Sequence, residues 1–150
     1  MQHDYPNTSN HVPSQQHAFL SEAIAASQQE SRIRAALGVR TGTLPKVEIA
    51  CLRKYYAYLA ARLVLPFAAQ AAVDPGRIHP LRSEITVVRL VDPDQTVASE
   101  SSGLLCQSRS GEEQFDLSLV DVEVDEAHPN FQLIEDYWYW FWNWRFDPQI

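Results

Sequence analysis

The chain of 150 residues is poor in several residue types, and each scarcity excludes a class of protein. Its two cysteines, Cys51 and Cys106, are too few for a disulfide scaffold, and neither belongs to a CxxC pair. No apolar run approaches the roughly 18 residues of a membrane span, and the first residues lack the pattern of a secretory signal. The composition also excludes collagen-like, coiled-coil and wholly disordered chains. We therefore expect a cytoplasmic protein with reduced thiols and no membrane segment.

Basic residues are scarce in the second half of the chain. Residues 84–150 contain three Lys or Arg against fourteen Asp or Glu, whereas residues 1–83 contain nine against five. The halves thus have formal charges of -11 and +4, which sum to the net charge of -7. We expect no nucleic-acid partner, because broad binding to phosphates needs Lys and Arg. The acidic half instead favours a cation or a basic partner.

The first part of the chain is predicted to be helical after a polar start. Residues 1–17 are rich in Asn, Ser, Gln and His, which predicts a flexible tail. Residues 18–44 are predicted to be a helical extension, with a helix that ends at Gly38. A second helix is predicted from Thr43 to about Leu63, since its apolar residues recur at helical spacing.

Short strands with tight turns follow, so residues 45–150 are predicted to form an α+β domain. Strands are predicted over residues 82–91, 104–108 and 113–119 from their β-branched residues and alternating polarity. The alternation slips by one residue near Val120, which indicates a bulge or corner. We expect a small bent antiparallel sheet or an SH3-like barrel, flanked by two N-terminal helices and an aromatic-rich C-terminal helix.

The last predicted helix runs from Asn130, its expected N-cap, to about Arg145 and contains all four tryptophans. Tyr137, Phe141 and Trp144 share one of its faces, and two further tryptophans share another. A helix that is aromatic almost all round has to be largely covered, by the sheet and the second helix or by another subunit. An aromatic cage for a cationic ligand is the alternative use of these rings.

Recognised catalytic motifs are absent from the sequence, which has no GxSxG, Walker loop or HExxH. Cys51 and Cys106 lie in an amphipathic helix and an apolar strand, where thiols are usually inert. His79 and His128 precede prolines in loops, and nothing in the sequence orients either ring as a base. We therefore predict that the protein is not an enzyme.

Clustered carboxylates give a stronger signal, because calcium takes about six to eight oxygen ligands. Six acids fall in three parts of the sequence. Two of them follow the end of a predicted strand, and a third lies in the same loop. Two more lie on one side of an extended segment, and the last lies in the aromatic helix. The candidate ligands are Asp92, Asp94, Glu100, Glu123, Asp125 and Asp136. The first loop is no EF-hand, because Val97 replaces its central glycine and Gly103 its last glutamate. The alternative is a solvated acidic surface that keeps the domain soluble.

Four segments of the chain resemble a known family: Lys54–Ala69, Ile85–Asp94, Gly103–Arg109 and His128–Trp144. Together they are similar to the non-EF-hand calcium-binding proteins typified by the cyanobacterial heterocyst calcium-binding protein. The resemblance spans residues 47–145, and its C-terminal segment is the distinctive part. It implies a small soluble domain with a bent sheet and flanking helices that binds calcium through surface carboxylates.

One position departs from the family. Members usually have a glutamate after the Pro-Phe of the first strand, where this chain has Ala68. Two main hypotheses follow: a non-catalytic calcium buffer or sensor, or an interaction module of the same fold that has lost the ion. The partner in the second case is another protein or a second copy of the chain. A metal-dependent enzyme that uses the same acids is a third hypothesis.

Overall fold

The computed structural model describes residues 4–72, 82–96 and 100–145, with side chains for 20–71, 82–96 and 100–145. The described elements are α1 (Asp4–Leu37), α2 (Ile49–Arg62), β1 (Phe67–Ala72), β2 (Arg82–Leu90), β3 (Leu105–Ser110), β4 (Glu113–Ser118), β5 (Val122–Glu123) and α3 (Phe131–Asn143). Single 3-10 turns follow β2 at Pro93–Gln95 and β4 at Leu119–Asp121. The predicted α+β class is confirmed. His79, one of the two loop histidines considered above, lies outside the described residues.

The strands form an antiparallel sheet in the order β4-β3-β2-β1-β5. The register shifts between Val87 and Arg89 in β2, and a shift of this kind bends a strand. The 3-10 turn at Leu119–Asp121 lies where the sequence predicted a corner near Val120. The described strands form an open sheet, so the bent sheet is observed and a closed barrel is not.

Alternate residues give the sheet one buried and one open face. In β1, Phe67 and Ala69 are buried, whereas Ala68 and Gln70 are exposed. The buried side chains meet the helices, where the rings of Tyr55 and Tyr137 pack edge to face with centroids 5.1 Å apart. The other face of β1 and its neighbours remains open to solvent, and we call it the outer face.

Helix α1 begins earlier than predicted, at Asp4 instead of residue 18. A polar composition predicts few core contacts, but it does not prevent helix extension, because each added residue with a backbone N–H, unlike Pro6 and Pro13, can gain a local hydrogen bond. The end of α1 belongs to the core, since Ile33 and Leu37 are buried. The division into a tail over 1–17, an extension over 18–44 and a domain stays a prediction. No described helix, α1 included, is long and apolar enough to cross a membrane.

Helix α2 begins later than the predicted Thr43, because α3 holds the segment that precedes it. The Val47 N–H donates to the Trp144 carbonyl at 2.7 Å. The Trp140 indole N–H donates to the Pro45 carbonyl at 2.9 Å. These tertiary hydrogen bonds take up backbone groups that an earlier helix start would need.

Helix α3 is less completely covered than predicted. Tyr137, Trp140 and Phe141 are fully buried, whereas Trp138 and Trp142 are 43% and 44% exposed. The helix thus has a buried face and an exposed face, both of them aromatic, because the sheet and α2 pack against one side only.

Asn130 precedes α3 as predicted, but its side chain does not cap the helix. Its Oδ1 accepts a hydrogen bond from the Val64 N–H and its Nδ2 donates to the Val64 carbonyl, each at 2.9 Å. The buried amide therefore joins the end of α2 to the start of α3, and this pairing is why it is not available as a cap.

Candidate functional site

A row of polar side chains crosses the outer face at three adjacent strands. Gln70 of β1 pairs with Glu84 of β2 on one side and with Glu123 of β5 on the other. Residues directly opposite each other in antiparallel strands project from the same face of a sheet. The two glutamates therefore flank the glutamine on the solvent side, and all three are exposed.

A cleft of about 480 Å³ opens at this row, and we call it the outer cleft. It is lined by Ala68, Ala69, Gln70, Glu84, Glu123, Val124, Asp125 and His128. Three carboxylates and an amide carbonyl are hard oxygen donors of the kind that calcium prefers. The donor chemistry of the outer cleft therefore fits a calcium ion.

These donors surround the outer cleft without converging on one point. Glu84 and Glu123 lie two strands apart, a backbone separation of about 9–10 Å. Among the side chains of residues 20–71, 82–96 and 100–145, no three His, Cys, Asp or Glu form a group that could hold a metal. A bound ion would therefore have to draw the exposed carboxylates together.

Glu123 already has a cationic partner, because it forms an ion pair with Arg82 at the start of β2. The two side chains are 55% and 53% exposed, respectively. Glu123 also lines a second cleft of about 430 Å³ between β5 and α3, which we call the helix cleft. The helix cleft is lined by Arg82, Val120, Asp121, Val122, Glu123, Val124, Phe131, Ile134, Glu135 and Trp138. Glu123 therefore stands between the two clefts.

His128 forms part of the wall of the outer cleft and is held in place by its neighbours. Its Nδ1 accepts a hydrogen bond from the Asn130 N–H at 2.9 Å. Its ring lies 5.5 Å from the Phe67 ring, centroid to centroid. The contacts give the imidazole a structural role, and calcium favours oxygen over nitrogen donors.

The predicted ligands of the first acidic loop lie elsewhere. Asp92 follows the far end of β2, roughly 25 Å along the strand from Glu84. Its Oδ1 accepts from the Asp94 N–H at 2.9 Å and begins the 3-10 turn, while Asp94 Oδ1 accepts from Arg53 Nε at 2.8 Å. Glu100 is exposed in the loop before β3. Asp92 and Asp94 therefore lie apart from the outer cleft with partners of their own, and Glu100 does not line that cleft.

Asp136, the last predicted ligand, is 4% exposed and holds α1 to α3. Its Oδ2 accepts from Arg32 Nε at 2.7 Å, and its Oδ1 accepts from Arg32 Nη2 and Gln29 Nε2, each at 3.1 Å. The hydrogen bonding of the Arg32 guanidinium to the Asp136 carboxylate raises the pKa of Arg32. We call these three residues the anchor, and both carboxylate oxygens are engaged in it.

The six predicted ligands thus do not lie together, and two of them, Glu123 and Asp125, line the outer cleft. Sequence reasoning missed Glu84 and Gln70, because strand register brings them to the site. The available signal was the alternation in β2, where Glu84 precedes the buried Ile85 and so projects outward.

The two cysteines are free and buried. Burial raises the pKa of Cys106 to about 11 and also raises the pKa of Cys51. Both thiols therefore stay protonated near neutral pH, which matches the inert role predicted for them.

Comparison with known proteins agrees with the predicted resemblance. The crystal structure of Anabaena CcbP is similar at 18% identity and a TM-score of 0.57, covering 76% of this chain and 89% of that one. A structure described as a calcium binding protein in the calcium-binding form is similar at 17% identity and a TM-score of 0.57, covering 75% and 88%. At such identities the likeness shows a shared fold.

A curated-protein search finds no match. A family described as calcium binding, of the CcbP type, matches residues 47–141. This range includes every described strand and all of α2, and it reaches into α3 as far as the buried Phe141. The chain therefore belongs to the CcbP-type calcium-binding family.

Proposed function

We propose that the protein is a non-catalytic calcium-binding domain, acting as a buffer or sensor in the cytoplasm, and that the ion is held at the outer cleft. The observation that carries the proposal is the placement of Glu84, Glu123 and Asp125 around one exposed cleft. Membership of a calcium-binding family supports calcium as the cation. The buried, free cysteines agree with a reducing compartment.

The residues of the outer cleft would bind the ion through carboxylate and amide oxygens. Glu84 and Glu123 approach from opposite neighbours of β1, Asp125 follows β5, and Gln70 lies between the glutamates. The calcium charge relieves the repulsion among the acids. Because long exposed side chains lose rotamer freedom when they converge, we expect weak binding, with a Kd of about 10⁻⁴–10⁻³ M.

The other predicted ligands are assigned different roles. We propose the outer cleft over the loop with Asp92, Asp94 and Glu100, because three carboxylates line that one cleft and two of them form no ion pair with a described residue. In the loop, Asp94 pairs with Arg53 and the Asp94 N–H donates to Asp92. That loop remains the second candidate position for calcium. For Asp136 we propose the anchoring role, since Arg32 and Gln29 donate hydrogen bonds to both carboxylate oxygens.

Isothermal titration of chelator-free protein with calcium tests the proposal. We expect a heat signal at millimolar calcium that the double variant Glu123→Gln, Asp125→Asn abolishes. The matched control is Glu113→Gln, Asp116→Asn, which removes the same charge from exposed positions of β4 at the opposite edge of the sheet. No heat with the unaltered protein, or equal losses in both double variants, would overturn the proposal.

The alternative is an interaction module of the same fold that has lost the ion, binding a protein partner or a second copy of itself. Ala68 favours this alternative, because it lines the outer cleft at the position where the family usually has a glutamate. Sedimentation of the chain at micromolar to millimolar concentration distinguishes self-association from a monomeric calcium binder. A stable dimer that shows no calcium heat would support the alternative.

A further inference from the structure

The ion pair between Arg82 and Glu123 places a protein cation at the edge of the outer cleft. We propose that Arg82 is an internal counter-cation that competes with calcium for Glu123 and thereby weakens the calcium affinity of the outer cleft. This inference rests on the proposed function. It concerns a residue to which neither the family match nor the predicted ligand set gives a role.

The position of Arg82 in the sheet explains how it reaches a calcium ligand. Arg82 and Glu84 are two residues apart in β2, so they project from the same face. Strand β1 separates β2 from β5, and the long arginine side chain spans β1 to meet Glu123. The guanidinium is thus drawn to the carboxylate that stands between the two clefts.

Acidic residues outnumber basic ones around the two clefts. Among the residues that line either cleft, Arg82 is the one Lys or Arg, whereas five are Asp or Glu. A single guanidinium therefore neutralises part of an acidic surface, and it does so at Glu123. This pairing also gives a reason why no three described acids converge, because one of the three cleft carboxylates is held at its edge.

Calcium binding at the outer cleft then becomes an exchange of one cation for another. Arg82 engages Glu123 Oε2, so both oxygens of this carboxylate can turn to the ion only after Arg82 has left. Because both partners are about half exposed, the pair is weak, and its removal should tighten calcium binding by about two- to fivefold. The gain should shrink as salt is added, because salt screens exposed charges.

The test compares calcium titrations of the unaltered chain, Arg82→Gln and a matched control, Arg89→Gln. Arg89 lies in the same strand, is exposed, and donates to the Gln107 side-chain oxygen at 2.9 Å instead of to an acid. Both variants lose one positive charge. We expect Arg82→Gln to lower the Kd by about two- to fivefold and Arg89→Gln to leave it unchanged.

A direct second readout is the Arg82 side-chain Nε–H signal in NMR spectra, which should move as calcium is added. Equal Kd values in the unaltered chain and Arg82→Gln would overturn the inference and leave the proposed function standing. Equal tightening in both variants would also overturn it, since a general charge effect would then suffice. Calcium binding by Arg82→Gln alone would support competition by Arg82 but overturn calcium binding as the function of the unaltered chain. No binding by any of the three would overturn both proposals.

Discussion

The anchor and the outer cleft use the same kind of side chain in opposite surroundings. Asp136 in the anchor is buried and receives hydrogen bonds from Arg32 and Gln29. Glu84 and Asp125 in the outer cleft are exposed and form no ion pair with any described residue. A buried carboxylate with fixed cationic and amide partners joins helices, whereas exposed carboxylates that form no ion pair are free to gather around a cation. Acid content along the chain does not separate these roles, but partners and burial do.

The largest expected effect is on the anchor. Asp136→Asn removes the charge that faces the Arg32 guanidinium, and breaking a buried ion pair typically costs several kcal/mol. Arg32 is about one-third exposed, so water partly compensates it. We expect the free energy of unfolding, measured by urea denaturation, to fall by about 2–4 kcal/mol, with the calcium affinity unchanged.

The matched change in the outer cleft is Asp125→Asn, which should give the reverse result. We expect a change in the free energy of unfolding within about 0.5 kcal/mol, because the residue is exposed, together with weaker calcium binding. A loss of calcium affinity in Asp136→Asn alone would restore Asp136 as a ligand and contradict the comparison.

A carboxylate added to the outer cleft should tighten calcium binding there. Ala68 projects from the same face of β1 as Gln70, so Ala68→Glu adds an oxygen donor beside the existing ones. We expect calcium to bind about tenfold more tightly in calorimetry, because affinity rises with the number of charged ligands. Ala61→Glu, at an exposed site of α2, carries the same charge change and should have little effect. Unchanged affinity in Ala68→Glu would contradict a ligand role for this position.

The smallest expected effect is on the pH dependence of the free energy of unfolding, and it comes from Cys106, which is buried in β3. Burial raises its pKa from 9.0 to about 11. As pH rises, the thiol therefore loses its proton at a lower pH in the unfolded chain than in the folded chain. Between these values the unfolded state binds fewer protons, and the free energy of unfolding falls with rising pH. We expect a loss of about 0.8 kcal/mol at about pH 9.5 relative to neutral pH that Cys106→Ala does not show. Identical pH slopes in the two proteins would contradict burial as the cause.

Local patterns were sufficient to predict β2, β3, β4 and the helical regions, but they did not predict β1 or β5 as strands. Strand β4 alternates in polarity, and it was predicted over residues 113–119 and observed over Glu113–Ser118. The start of α2 was missed because its determinants are distant in sequence. The Pro45 carbonyl binds the Trp140 side chain, 95 positions away, and no pattern near Pro45 indicates that contact.

The candidate site, like the fold, could be predicted only in part. Glu123 and Asp125 could be found because they are close in sequence and alternate along an extended segment. Glu84 joins them through the pairing of β2 with β1 and of β1 with β5, which the sequence does not specify. Asp136 was assigned as a ligand because its partner Arg32 lies 104 positions away. Sequence reasoning therefore identified acids but not their partners.

The most direct test of the account is a calcium titration of isotopically labelled protein followed by amide NMR signals. The account predicts saturable shifts centred on residues 68–70, 84 and 123–125, which border the outer cleft. It predicts little change at Asp92 and Asp94, roughly 25 Å away along β2. Shifts centred on the loop with Asp92, Asp94 and Glu100, or no shifts at millimolar calcium, would contradict the outer cleft as the calcium site.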